Sequence, residues 1–193
     1  AATETLAGAN KVFVGTTIAI VVSAIADFVT GKAGSAPDPD APVAGLVAIT
    51  PASGSVGPMG ALLIGAAAAV ICYWASTSLK AKFGYDDSLD VFGVHGIGGI
   101  VGAILTGLCT ATYFGGVGFP GEDGLVGTAD DIATSAQILV QCQGVLVTVI
   151  WSGVVSYIAL KIAGAVVGGI RSDEDSEETG LDLTDHGESG YTS

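Results

Sequence analysis

Three long stretches of this chain carry no Asp, Glu, Lys or Arg at all: Met59 to Leu79, Val91 to about Tyr113, and Ile132 to Leu160. A helix needs roughly 20 such residues to cross a hydrocarbon core about 30 Å thick. The third stretch exceeds one straight crossing, which predicts a tilt or an exposed first turn. A soluble fold would require polar helix faces that 59–79 and 91–113 lack. The chain is therefore expected to be an all-α, polytopic helix bundle embedded in a lipid bilayer.

Two weaker segments complete the expected layout. Val12 to Asp27 is shorter and ends on a carboxylate. Ala41 to Ile49 is too short alone and follows Pro37-Asp38-Pro39-Asp40, where proline removes backbone donors, so it is expected to be a partial or broken span. About five transmembrane helices result, at 12–29, 41–54, 59–79, 89–113 and 133–161, within a membrane region 1–170. Residues 171–193 hold eight of the 19 acidic side chains and are expected to form an acidic tail unable to fold alone.

Small residues recur where helices would touch, as in Gly96-Ile97-Gly98-Gly99 followed by Gly102, Ala103 and Gly107. Cys72, Cys109 and Cys142 lie inside apolar segments without metal-ligand spacing and read as small packing residues. A net charge of −13 with no basic patch excludes a nucleic-acid partner. The first residue is Ala, which fits a numbering that begins inside a longer parent chain.

The six basic residues carry the topology signal. Lys32, Lys80, Lys82, Lys161 and Arg171 all follow spans and fall on one side of a five-crossing zigzag; Lys11 is the exception. The loop from Phe114 to Asp131 holds four acidic and no basic residues and falls opposite. The tail is accordingly expected in the cytoplasm.

Chemistry concentrates in the run Asp86-Asp87-Ser88-Leu89-Asp90-Val91-Phe92-Gly93-Val94-His95-Gly96. A helix beginning near Ser88 would place His95 about a turn and a half inside it, with Asp90 as the capping carboxylate and Asp87 as a solvated charge. An imidazole at membrane depth is costly to bury and by default faces an internal passage; a histidine satisfied by a backbone carbonyl is the structural alternative. An acid–base pair of Asp90 and His95 is disfavoured, because five residues set them about 140° apart around a helix and no nucleophile stands on that turn. No enzyme is expected.

The run from Asp90 to His95, continued by Gly96, Gly98, Gly99 and Gly102, resembles the tenth-helix signature of the ammonium transporter (Amt/Mep/Rh) family. Val43 to Ala52 resembles that family's eighth helix, Gly115 to Phe119 the extracellular loop, and Trp151 to Val155 the eleventh helix. Gly180-Leu181-Asp182-Leu183 and His186-Gly187-Glu188 resemble its cytoplasmic tail. The series covers nearly the whole chain from about Val43 and corresponds to roughly the last five of eleven helices. The region Ala33 to Pro42 departs from the pattern with three prolines and two aspartates.

The resemblance implies a homotrimer in the cell membrane, with one hydrophobic pore per subunit that conducts ammonium or ammonia and needs neither cofactor nor metal. His95 matches the second of two facing pore histidines, and Thr50 falls beside the conduction path. Asp90, Phe92, Gly93 and Gly96 are structural residues near the pore helix, and Asp87 belongs to the cytoplasmic vestibule. The partner histidine and the recruitment site belong to earlier helices that this sequence does not contain. The tail is implied to link neighbouring subunits and to contribute to control by a PII-type signal protein. A non-conducting sensor or docking subunit for such a protein is the alternative function.

Overall fold

The computed structural model describes residues 40–188, so the span expected at 12–29 lies outside the described residues. Two compact units divide the chain, Ala1–Leu146 and Val147–Ser193. In the first, helix α1 covers Asp40–Ile49 and runs into a 3-10 turn at Thr50–Ala52. Pro42 sits in the first turn of α1, where a missing N–H costs nothing.

Helix α2 is Pro58–Phe83 and helix α3 is Phe92–Cys109. Pro58 starts α2 after an extended Gly57, and Gly84 ends it in a left-handed conformation at φ +62°, which glycine adopts without a Cβ penalty. Each helix contains a widened π turn, at Ala75–Leu79 in α2 and at Phe92–Ile97 in α3. Helix α3 begins at Val91 to Phe92 rather than near Ser88, because Asp90 has a left-handed φ of +51°.

Helices α1, α2 and α3 pack on one another around strikingly small side chains. Ala48, Ala52, Ile64, Ala68 and Cys109 are fully buried together, and Ala44, Cys72 and Val94 form a second cluster. A Cβ at Gly102 would overlap the Ala48 backbone, so only glycine permits this crossing of α1 and α3. Lipid offers no hydrophobic gain for joining helices, and close van der Waals approach of this kind takes its place. Hydroxyls within the helices bond back one turn, as Thr106 Oγ1 does to the Gly102 carbonyl at 2.8 Å.

Helix α4, Thr134–Val167, has 34 residues and is about 51 Å long at 1.5 Å per residue. It starts one residue inside the expected 133–161 and ends six residues past it, none of its residues is buried, and it exceeds one perpendicular crossing. Among the described residues, α2, α3 and α4 are each long and apolar enough to cross a membrane, and Val43–Ala52 is a shorter apolar helix.

The second unit ends in two short helices, α5 at Glu174–Thr179 and α6 at Leu181–Thr184. These short helices bury none of their residues. Asp173 caps α5 by accepting from the Ser176 N–H at 2.9 Å, and Arg171 forks onto Glu177 at 2.8 and 2.7 Å. Local bonds of this type offset the repulsion that composition alone suggests.

Candidate functional site

The loop between α2 and α3 arranges three charges around the start of the His95 helix. The Asp87 carboxylate accepts from the backbone N–H groups of Val91 at 2.8 Å and Phe92 at 2.9 Å. It therefore does the capping expected of Asp90, through hydrogen bonds that are themselves exposed. Asp90 directly precedes the helix, but its backbone is left-handed, at φ +51°, and its carboxylate is turned away from the free N–H groups. Its carboxylate instead accepts from Lys80 Nζ at 2.9 Å, and the same ammonium donates to the Asp87 carbonyl. The ion pair is partly buried, with side chains 29% and 24% exposed. A left-handed backbone costs an L-residue about 1–2 kcal/mol, least for Asp and Asn, and the Lys80 bond helps to hold Asp90 there.

Gly93 and Val94 then turn inward. A Cβ at Gly93 would overlap Ser76 Oγ of the α2 π turn, so the two widened turns meet face to face. Ser76 Oγ and Tyr85 Oη are buried here with no hydrogen-bond partner among the described residues. The Tyr85 ring meets Phe92 edge-on at 5.5 Å between centroids. Widened turns are frequent at functional sites, because they redirect side chains that a regular helix would place elsewhere.

His95 lies in the middle of the α3 π turn and is exposed on this chain. Beside it, a Cβ at Gly96 would come within 3.2 Å of the Phe92 ring, whereas one at Gly99 would meet nothing within 4 Å. The imidazole thus stands on a face of α3 that α1 and α2 leave uncovered, next to open space.

The structure gathers Asp87, Asp90, Phe92, Gly93, His95 and Gly96 into one short stretch, but it sets Thr50 elsewhere. The Thr50–Ala52 turn packs on Gly98–Cys109, and the Thr50 hydroxyl donates to the Leu46 carbonyl at 2.7 Å. Lys80, Ser76 and Tyr85 carried no site role in the sequence reading. The one available signal was a lysine at a helix end followed by Gly84, Tyr85 and two aspartates, and spacing alone does not show that the loop folds back onto it.

A second polar region lies toward the other end of α3. There a cavity of about 340 Å³ is lined by Ser55, Thr106, Thr110, Gln137 and Gln141, among others. Its hydroxyls are largely engaged, Thr106 with Gly102 and Thr110 with Ser55 at 3.3 Å.

In the tail, Ser176 donates through its N–H and its hydroxyl to Asp173, which holds that carboxyl below its ordinary value. Glu177 is lowered in the same direction by its hydrogen bond from Arg171.

Comparison with known proteins agrees with this architecture. The Ammonium Transporter Family model matches residues 1–191. An ammonium transporter of Aquifex aeolicus is 45% identical over 149 residues, covering 77% of this chain and 32% of that protein. An ammonium transporter of Mycobacterium tuberculosis is 39% identical over 191 residues, covering 95% of this chain and 39% of that one. The crystal structure of Candida albicans Mep2 is similar with a TM-score of 0.63 and 29% identity, over 88% of this chain and 37% of that chain. The chain therefore spans 32% to 39% of the length of these relatives.

Proposed function

Because the chain belongs to the Ammonium Transporter Family, we propose that it forms part of the permeation path of a multi-pass ammonium transporter in the cell membrane. The observation that carries this reading is His95: an ionisable ring in a helix long enough to span, on an uncovered face beside Gly99. Placing such a group at membrane depth is costly unless it meets polar partners or a passing solute.

Neutral imidazole has one N–H and one lone pair. It can accept a hydrogen bond from ammonium, donate one to ammonia, or relay a proton separately from the amine. These are binding and transfer steps with no bond made to the solute, so the role is transport and not catalysis. The facing histidine implied by the family resemblance would come from helices outside this chain. Thr50 is proposed beside the path, with its hydroxyl already committed to Leu46.

The basic residues support an orientation. Lys80 and Lys82 end α2, and Lys161 and Arg171 lie near the end of α4, which puts these ends and the tail in the cytoplasm by the excess of positive charge there. The loop 114–131 then faces outward. A homotrimer follows from the family resemblance alone.

The short helices of the acidic tail favour a second reading. With α5 capped and ion-paired, it offers a defined surface to a PII-type signal protein, either as control of a conducting pore or as the docking site of a non-conducting sensor.

Uptake of labelled methylammonium by liposomes holding the assembled transporter, this chain together with the helices that supply the facing histidine, with and without His95→Ala, tests the proposal. Uptake by the wild type that the substitution alters in rate or selectivity supports it. Equal uptake by both proteins removes His95 from the path, and PII binding without any uptake selects the sensor.

A further inference from the structure

We infer that Lys80 is a positioning residue for His95, acting through Asp90 and Asp87. The inference rests on the pore reading above only where transport is its readout.

The geometry has two anchors with a widened turn between them. Upstream, Lys80 at the end of α2 donates to the Asp90 carboxylate at 2.9 Å and to the Asp87 carbonyl. Asp87 in turn caps α3 through the N–H groups of Val91 and Phe92. Downstream, Gly98 lies against Cys72 Sγ and Gly102 against the Ala48 backbone.

Between these anchors the chain runs as the π turn Phe92–Ile97. A π turn holds one residue more than an α turn between fixed ends. Each residue of an α-helix advances about 100° around the axis, so losing the extra residue from the turn would swing the side chains within it by up to that angle. The direction in which His95 points is therefore set by where the upstream anchor holds the chain. Lys80 ties that anchor to α2, and it gives the left-handed Asp90 a charged partner. Without it, Asp90 is free to leave φ +51° and the turn to narrow.

The test is the rate at which diethyl pyrocarbonate modifies His95, read by mass-spectrometric peptide mapping of the reconstituted protein, with His186 as internal reference. In Lys80→Met the His95 rate is expected to change by about threefold or more and methylammonium uptake to fall by about tenfold, within the roughly 100-fold that a 1 Å misplacement can cost. Lys80→Arg, which keeps the charge, restores both, and His186 is unaffected throughout. If Lys80→Met does not accumulate, Asp90→Asn removes the same ion pair with little change of shape and is read in the same way. A His95 rate in these variants equal to that of wild type overturns the inference. Uptake in His95→Ala unchanged in both rate and selectivity would sink the pore reading instead, and the modification rates would still decide the role of Lys80.

Discussion

Gly93 of α3 lies directly against Ser76 of α2, so close that any side chain at position 93 would overlap the serine hydroxyl. The contact joins the π turns of the two helices and fixes the segment that carries His95 two residues later. Gly93→Ala is expected to lower stability by about 1–3 kcal/mol, the usual cost of overpacking. Gly99→Ala, where a Cβ meets nothing, is expected to leave thermal unfolding in detergent unchanged. Equal melting of both variants would show that the contact does not constrain the helices.

Ser76 leads to an opposite expectation. Its buried hydroxyl has no partner among the described residues, and an unsatisfied buried polar group costs about 1–3 kcal/mol. Ser76→Ala removes that cost, so its melting temperature should equal or exceed that of wild type. A clear fall would reveal a partner for the hydroxyl, such as a bound water.

Asp87 provides the third test. Replacing a capping carboxylate by alanine costs about 0.5–2 kcal/mol, and Asp87→Ala should reduce amide-exchange protection at Val91 and Phe92, the two donors it satisfies. Ser88→Ala, which caps nothing in this arrangement, serves as control. Protection lost equally in both variants would contradict the assigned cap.

The tail should respond to acid. Asp173 and Glu177 both have carboxyls held below their ordinary values of 3.8 and 4.5. Groups lowered in the folded state contribute stability that is present above the ordinary value and lost as pH falls through the folded one. Exchange protection of the Ser176 amide should therefore persist from pH 7 down to about 4, close to the ordinary carboxyl range, and be lost only as the pH falls further through the lowered folded-state values. Loss of protection already at pH 6 would point to another group.

Much of this was legible in the sequence, because the lack of charge in Met59–Leu79 or Val91–Tyr113 leaves a helix in lipid as the stable solution. The π turns were not legible. They arise from the meeting of Ser76 and Gly93, a relation between helices that no single-helix periodicity encodes. The capping residue was misassigned for a related reason: Asp90 stands nearest the apolar run, but its left-handed backbone hands the role to Asp87. Lys80 was read only as a marker of topology, since its partners lie 7 and 10 residues away across a loop that folds back. In the tail, charge counting missed the local pairs at Asp173 and Arg171 that let short helices form.

The central claim is that the position of His95 borders the route of the solute. It is tested most directly by His95→Cys in a background with Cys142, the exposed cysteine, replaced by Ser. The rate of labelling by a small water-soluble methanethiosulfonate is measured with and without ammonium. The account predicts labelling slower than at an exposed loop position such as Gly124, slowed further by ammonium. Labelling as fast as in that loop and indifferent to ammonium, or no labelling at all, would contradict it.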